Sequence, residues 1–451
     1  MLYFVPVRRS TTLKKIRPIH LAAVIFFTVS GGPYGLEPLL SYAGEHGALI
    51  LLVITPLLWD VPSIFTVLEL NGMMPITGGY YKWVKRALGP RWGFYEGLWT
   101  WFYTFVDLAI YPVLFVQYAS FLLAGIAAYK IWLCLAIIWS SAGLNIRGIL
   151  PVGRMSLVLA AMVLIPFIVL FVVFFWHHAA PVALPAPSLK GLSYSSIGLS
   201  LYTIMWNCLG WDNVTTYAEE VENPLRSYLT SMAIAFITVI VVYVLVIIVA
   251  QQSRINYTIL TSAGFPALGA LIGGQWLGVL IAAAGMASTL GLYSANLLSV
   301  SRLPKAMADD GLLPSKLGIL HSRFQTPWFS IVVCSVVISA MTLWTFGELI
   351  IIDVTIYGAG LFLEYISLIR LRIKEPSVHR PFKIPLGVPG LCVMAVLPVG
   401  VYTLALTGVF FSATEIIKPA LFAVSVLLTA EVAWRAVVWR KPYLNNKTRV
   451  D

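Results

Sequence analysis

The sequence predicts an all-α integral membrane protein with twelve spans, and three observations carry that reading. The 451 residues are 59% hydrophobic and only 11% charged, whereas a soluble domain carries about 25% charged residues. Apolar runs of bilayer length recur at 19–42, 47–71, 93–121, 124–146, 150–176, 196–221, 229–251, 269–300, 328–345, 349–370, 388–411 and 415–437; about 20 such residues cross a hydrocarbon core of about 30 Å. The basic residues are one-sided. Of 30 Lys and Arg, 26 fall in loops on the side of the N terminus, and only Lys130, Lys190, Arg254 and Lys418 fall on the other. Lys and Arg accumulate in cytoplasmic loops, so both termini are expected in the cytoplasm, at the cell membrane, with an even number of spans. No short apolar region followed by a small-residue cleavage site opens the chain, so no removed signal peptide is expected.

The first span is interrupted. Its middle reads Ser30-Gly31-Gly32-Pro33-Tyr34-Gly35. Pro33 has no N–H to donate, and each glycine weakens a helix by about 1 kcal/mol. The pattern predicts half-helices at about 18–29 and 36–42 around an unwound centre. Freed backbone groups at membrane depth are tolerated only where protein or a polar cavity surrounds them, and such breaks form the binding sites of secondary transporters.

Beyond the second span, 79–89 reads as an amphipathic basic helix, which Gly89-Pro90 ends. The third span carries a carboxylate, Asp107, near its middle. Pro181, Pro185 and Pro187 mark an external loop over 177–195. The sixth span contains Trp206-Asn207-Cys208-Leu209-Gly210-Trp211-Asp212-Asn213, where Gly210 weakens the helix and Asn and Asp compete for its backbone groups. Interruptions in spans one and six imply two inverted repeats of five helices. The expected organisation is a cytoplasmic tail at 1–18, a first repeat at 19–176, a second at 196–371, two further helices at 388–437 and a cytoplasmic tail at 438–451.

Several function classes are excluded or disfavoured. The four cysteines, Cys134, Cys208, Cys334 and Cys392, lie in apolar segments without a CxxC, which suggests neither zinc nor a disulfide framework. His177 and His178 form a loop pair and not a metal site. No metal, other cofactor or protein subunit is expected. The net charge of +11 follows from the one-sided loops and needs no nucleic acid; those loops suit anionic lipid headgroups. The spans hold no HExxH or nucleophile–base pair of an enzyme, and the paired breaks disfavour a channel.

Three motifs occur in order: Glu69-Leu70 with Pro75, Gly78-Gly79 and Tyr80; the connector Ser301–Pro314; and Arg380-Pro381-Phe382-Lys383-Ile384-Pro385. Together they resemble the hallmarks of the amino acid–polyamine–organocation transporters over residues 19–385. Val29–Glu37 departs from that family's usual first break. It resembles the branch of plant and protozoan polyamine/proton symporters, which also holds L-type amino-acid-carrier-like members, as do Leu88–Phe94, Asp107–Phe115, Trp206–Asp212 and Glu220–Pro224. The resemblance implies the leucine-transporter-type fold, alternating access and an amino acid or polyamine as substrate.

The residues give the site its chemistry. The carbonyl end of a half-helix suits an ammonium and the N–H end a carboxylate, so the breaks alone can hold a zwitterionic amino acid. A polyamine needs separated acceptors instead. The candidate binding set is Ser30, Gly31, Gly32, Tyr34, Gly35, Glu37, Asp107, Trp206, Asn207, Gly210, Trp211, Asp212 and Tyr357. Intramembrane carboxylates cost about 2.5–3.5 kcal/mol on insertion scales and are functional candidates. Trp206, Trp211, Tyr34 and Tyr357 offer faces worth about 0.5–2 kcal/mol each to a cation. Glu37 reads either as a site residue or as a solvated helix end, Asp212 as a site residue or a cap. Glu69, Glu220 and Glu222 read as gate or loop groups at the cytoplasmic ends. Glu364 is left open, and Asp353 is expected near the outer surface. Relatives carry a lysine in the fifth span in place of sodium, but Ser156–Phe171 has no ionisable residue. Proton coupling would therefore fall to Asp107 or Glu37. The expectation is a proton-coupled importer leaning to cationic substrates; the alternative is a neutral amino-acid carrier or exchanger.

Overall fold

The computed structural model describes residues 15–123, 125–177, 185–343, 346–410 and 417–441. Nearly all of the tail expected at 1–18, His178, Pro181 and the tail beyond Lys441 lie outside the described residues. Among those residues, helices make all the regular structure except one isolated bridge between Ile16 and Val221. Nine of the described helices are long and apolar enough to cross a membrane, and two shorter apolar ones accompany them. The chain is a multi-pass membrane protein.

The order begins with α1 (Pro18–Val29), whose proline sits where a helix needs no N–H. Then come α2 (Leu39–Met73), α3 (Gly79–Leu88), α4 (Pro90–Leu122), α5 (Lys130–Ile146) and α6 (Ile149–His177). After the loop, α7 (Tyr194–Trp206) leads through an unwound stretch into a 3₁₀ segment, Asn213–Glu220. The remainder is α8 (Pro224–Gln252), α9 (Tyr257–Ala263), α10 (Phe265–Gly273), α11 (Gln275–Val300), α12 (Arg302–Asp309), α13 (Trp328–Met341), α14 (Phe346–Lys374), α15 (Val388–Phe410) and α16 (Ile417–Arg440).

Three boundaries differ from expectation. The piece after the first break starts at Leu39, not at 36, and Gly44 separates it from the long part of α2. The piece after the second break is 3₁₀ and not α. The run expected to span from 269 starts at Gln275, because Gly274 divides it from the short helix α10. Both pieces are apolar, so hydropathy alone merges them.

The interior is built where α4 packs on α11 and α14, and α11 on α6. Helices α1 and α7 lie against α8 and α2 respectively. Outside these, α7 meets α15 where a Cβ on Gly198 would stand 2.7 Å from the Gly408 Cα, the small-residue approach that lets membrane helices pack closely. Large apolar side chains such as Val158, Ile165, Ile168 and Val172 of α6 face outward. Such a face is a liability in water and a requirement in lipid.

The sequence motifs are ties at the end of the bundle nearest Arg17. Glu69 of α2 takes both Arg372, whose Nη2 lies 2.6 Å from Oε2, and the Ile384 N–H at 2.8 Å; Arg380 adds a contact of 3.3 Å. Two motifs more than 300 residues apart are thus one buried cluster. Asp310, beyond α12, receives Lys82, Lys85 and Tyr81 of α3 at 2.7, 2.6 and 2.5 Å. Burial opposes ionisation of Asp310, but those three donors outweigh it and hold its carboxyl below the ordinary range. Gly78 N–H donates to the Thr216 carbonyl at 3.0 Å. A Cβ on Gly79, whose φ is +35°, would stand 2.0 Å from Thr215 Oγ1. Overpacking costs about 1–3 kcal/mol, so Gly79→Ala is expected to lower the unfolding temperature in detergent by several degrees; an unchanged midpoint in a thermal melt would contradict this packing.

Candidate functional site

The first break is a compact turn in which the N–H groups of its serine and three glycines have acceptors. Helix α1 closes as Ser30 and Gly31 N–H donate to the Phe26 carbonyl at 2.9 and 2.8 Å. Gly32 N–H donates to Ser30 Oγ at 3.1 Å. Gly35 N–H donates to Oε2 of Glu37 at 2.6 Å. Glu37 therefore folds back over the break and puts its own carboxylate where the sequence reading placed a substrate's. Tyr118 of α4 donates to Oε1 at 3.2 Å. Glu37 is 5% exposed, so it is no solvated helix end. It lines a cavity of about 260 Å³ with Gly35, Tyr42, Gln117, Tyr118 and Tyr202.

The second break faces the first. Trp206 lies on Gly35, whose φ is +96° and whose Cβ, were there one, would stand 2.3 Å from the ring; only glycine fits. Gly210 lies against the Thr28 carbonyl. Asn207 Nδ2 donates back to the Thr203 carbonyl at 2.8 Å. The Tyr243 hydroxyl of α8 joins the breaks, 2.6 Å from Ser30 Oγ and 2.8 Å from the Asn207 carbonyl. Tyr357 of α14 takes the Gly210 N–H at 3.3 Å and donates to Asp212 at 2.8 Å.

Asp107 is buried on α4 and accepts from the Tyr111 hydroxyl at 2.6 Å and from Asn296 of α11 at 3.3 Å, with Trp206 as a further neighbour. Asp353 of α14 stands beside it. It is completely buried, a correction to the expectation that it lies near the outer surface. Two candidates turn away from the breaks. Trp211 donates to Asp60 of α2 at 3.2 Å and packs on Phe236 of α8. Tyr34 donates to the Ile281 carbonyl at 2.6 Å and meets Tyr118, Phe167 and Phe265 edge-on.

Sequence reading missed Asp60 and Glu96, and left Glu364 unassigned. Glu96 precedes Asp107 by eleven residues, as Asp353 precedes Glu364. Eleven residues are about three turns and about 16 Å, which keeps each pair on one helix face. That spacing was the available signal. Because α4 and α14 pack together, the acids fall in two layers, Asp107 with Asp353 and Glu96 with Glu364. Tyr103 and Tyr357 meet between them with ring centroids 5.2 Å apart. Among the described residues, none of Glu37, Asp60, Glu96, Asp107, Asp212, Asp353 or Glu364 has an ion-pair partner. The buried Arg302, Arg372 and Arg380 are committed to Glu220 and Glu69.

The face nearest Arg17 is shut by backbone. Ile16 N–H donates to the Glu220 carbonyl at 3.0 Å, and Glu222 N–H to the Ile16 carbonyl at 3.1 Å. Arg302 grips Glu220 at 2.6 Å.

Residues 18–430 match the family model described as amino acid permease. The chain is 32% identical over 432 residues to polyamine transporter RMV1 of Arabidopsis thaliana, covering 94% of this chain and 85% of that protein. It is 30% identical to polyamine transporter PUT1 of Oryza sativa subsp. japonica, covering 95% and 80%. A shorter match, 32% over 205 residues, is to the human cystine/glutamate transporter, covering 44% of this chain and 40% of that protein.

Proposed function

Because the chain belongs to the amino acid permease family of transporters, we propose that it imports a linear polyamine by alternating access, driven by a proton gradient. The observation that carries the substrate is the Glu37 carboxylate on the Gly35 N–H. A free N–H end holds the carboxylate of an amino acid. Here a side chain occupies it, so the site presents a fixed anion to its ligand. An ammonium complements an anion; an α-carboxylate is repelled by it. Asp107 supplies a second, separated acceptor, and the similarity to polyamine transporters of Arabidopsis thaliana and Oryza sativa agrees with this choice.

The architecture we propose is twelve spans in two inverted repeats of five, with the first and sixth helices discontinuous. The packing supports it, since main contacts of one half have counterparts in the other. Helix α1 packs on α8 as α7 packs on α2, α4 on α14 as α11 on α6, and α5 on α11 as α13 on α4. The basic loops put the face nearest Arg17 in the cytoplasm, against the anionic lipid of the cell membrane. In this arrangement the Glu37 cavity is external and the Ile16–Val221 bridge is the internal closure.

Equilibrium binding to purified protein tests the substrate. Labelled putrescine or spermidine is expected to bind and to be displaced by the unlabelled diamine but not by leucine. Binding of leucine without either diamine would replace this reading with a neutral amino-acid carrier.

A further inference from the structure

We propose that the coupling proton resides on the Glu364–Asp212 pair, with Glu96 beside it, and not on Asp107 or Glu37. The proposal rests on the proton-coupled reading above and locates its ion. Carboxylates supplied with donors are stabilised as anions, whereas those supplied with none hold a proton. Asp107 and Glu37 each have donors from two residues, which favour the anion that an ammonium needs. Glu364 is the opposite case. It is completely buried, and neither oxygen meets a donor hydroxyl or amide among the described residues. Its close polar neighbour is another carboxyl, Asp212. Two neighbouring buried carboxyls with no cation beside them are relieved by one shared proton, an O–H on one donating to the other.

The surroundings reinforce this. Glu96 Oε1 stands 3.0 Å from where a Cβ of Gly360 would sit, one turn before Glu364 on α14, and its Oε2 is buried without a partner. Independently of the acids, the fully buried Tyr80 hydroxyl of α3 stands among Asp212, Glu96 and Glu364 and has no partner either. The other titratable groups facing the pair are Tyr103 from α4 and Tyr357 and Tyr365 on α14 itself, with Asp60 of α2 beyond Tyr365. No Lys or Arg is among them, so the uncompensated charge is relieved by protons. Asp353 also lacks donors, but its carboxyl neighbour, Asp107, lies on α4 and in neither break. Asp212 belongs to the second break and is tied through Tyr357 to the Gly210 N–H. A proton gained or lost there acts directly on the segment that must move.

Two measurements on the full chain test this. In difference infrared spectra across a pH step, the carbonyl stretch of a protonated buried carboxyl is expected in the wild type. A component of it should be lost in Glu364→Gln, and the same component in Asp212→Asn, which serves should the first variant fail to fold. This readout needs no substrate. In proteoliposomes, Glu364→Gln is expected to keep putrescine counterflow and to lose accumulation driven by an inward proton gradient. An unchanged infrared band in both variants overturns the proposal, as does proton-driven accumulation by Glu364→Gln equal to wild type, or wild-type accumulation that follows sodium instead. A wild type that keeps the band but neither binds nor exchanges putrescine removes the polyamine reading and leaves the proton site standing.

Discussion

Glu69→Ala is expected to leave little folded protein in the membrane. The substitution strands two guanidinium groups, Arg372 and Arg380, whose side chains are 7% and 4% exposed, and deprives the Ile384 N–H of its acceptor. Removing one partner of a buried ion pair costs about 3–5 kcal/mol, because the other charge stays buried and uncompensated. Folded proteins are stable by only about 5–15 kcal/mol. Glu69→Gln keeps an acceptor for Ile384 but not the charge, and should fall between. Size-exclusion profiles and thermal melts of detergent extracts check the order: wild type, then Gln, then Ala. Equal melting points would show that the cluster contributes specificity of packing and not stability.

Asp107→Asn should spare the fold and abolish the affinity. The amide preserves the shape and can still accept from Tyr111, so the melting point should stay near wild type. A bound ammonium, however, loses its charged partner in a site that no other cation shares. A cost of about 3–5 kcal/mol for the lost pair is a loss of about 10²- to 4 × 10³-fold in affinity for putrescine. Binding isotherms on the purified variant read this directly. Unchanged affinity would place the ammonium elsewhere, with Glu37 the next acceptor to replace.

The helical breaks were legible because glycine and proline leave a local trace. Ser30–Gly35 needed no tertiary knowledge to be read as unwound, and Asp107 was conspicuous as a charge inside an apolar run. The direction of a side chain left no such trace. Trp206 and Trp211 are five residues apart in one motif, yet one covers Gly35 and the other reaches Asp60; unwinding destroys the periodicity that would have separated them. Glu37 illustrates the same limit. Its proximity to the break was plain, but folding back onto the Gly35 N–H depends on a two-residue turn and on Tyr118, 81 residues away. Asp353 was misplaced for a different reason. Its burial is imposed by α4 packing on α14, which hydropathy cannot see. Glu96 stands out only as the partner of Asp107 at helical spacing, a relation between two residues that a search for single charges does not reveal.

The Tyr243 hydroxyl has one proton and two acceptors, Ser30 Oγ and the Asn207 carbonyl, both within 2.8 Å. A phenol gives that proton to one acceptor at a time, but its oxygen also accepts, so the Ser30 hydroxyl can donate to it while the phenol donates to the Asn207 carbonyl. One hydroxyl on α8 can therefore hold both unwound segments at once, and Tyr243→Phe would release both together.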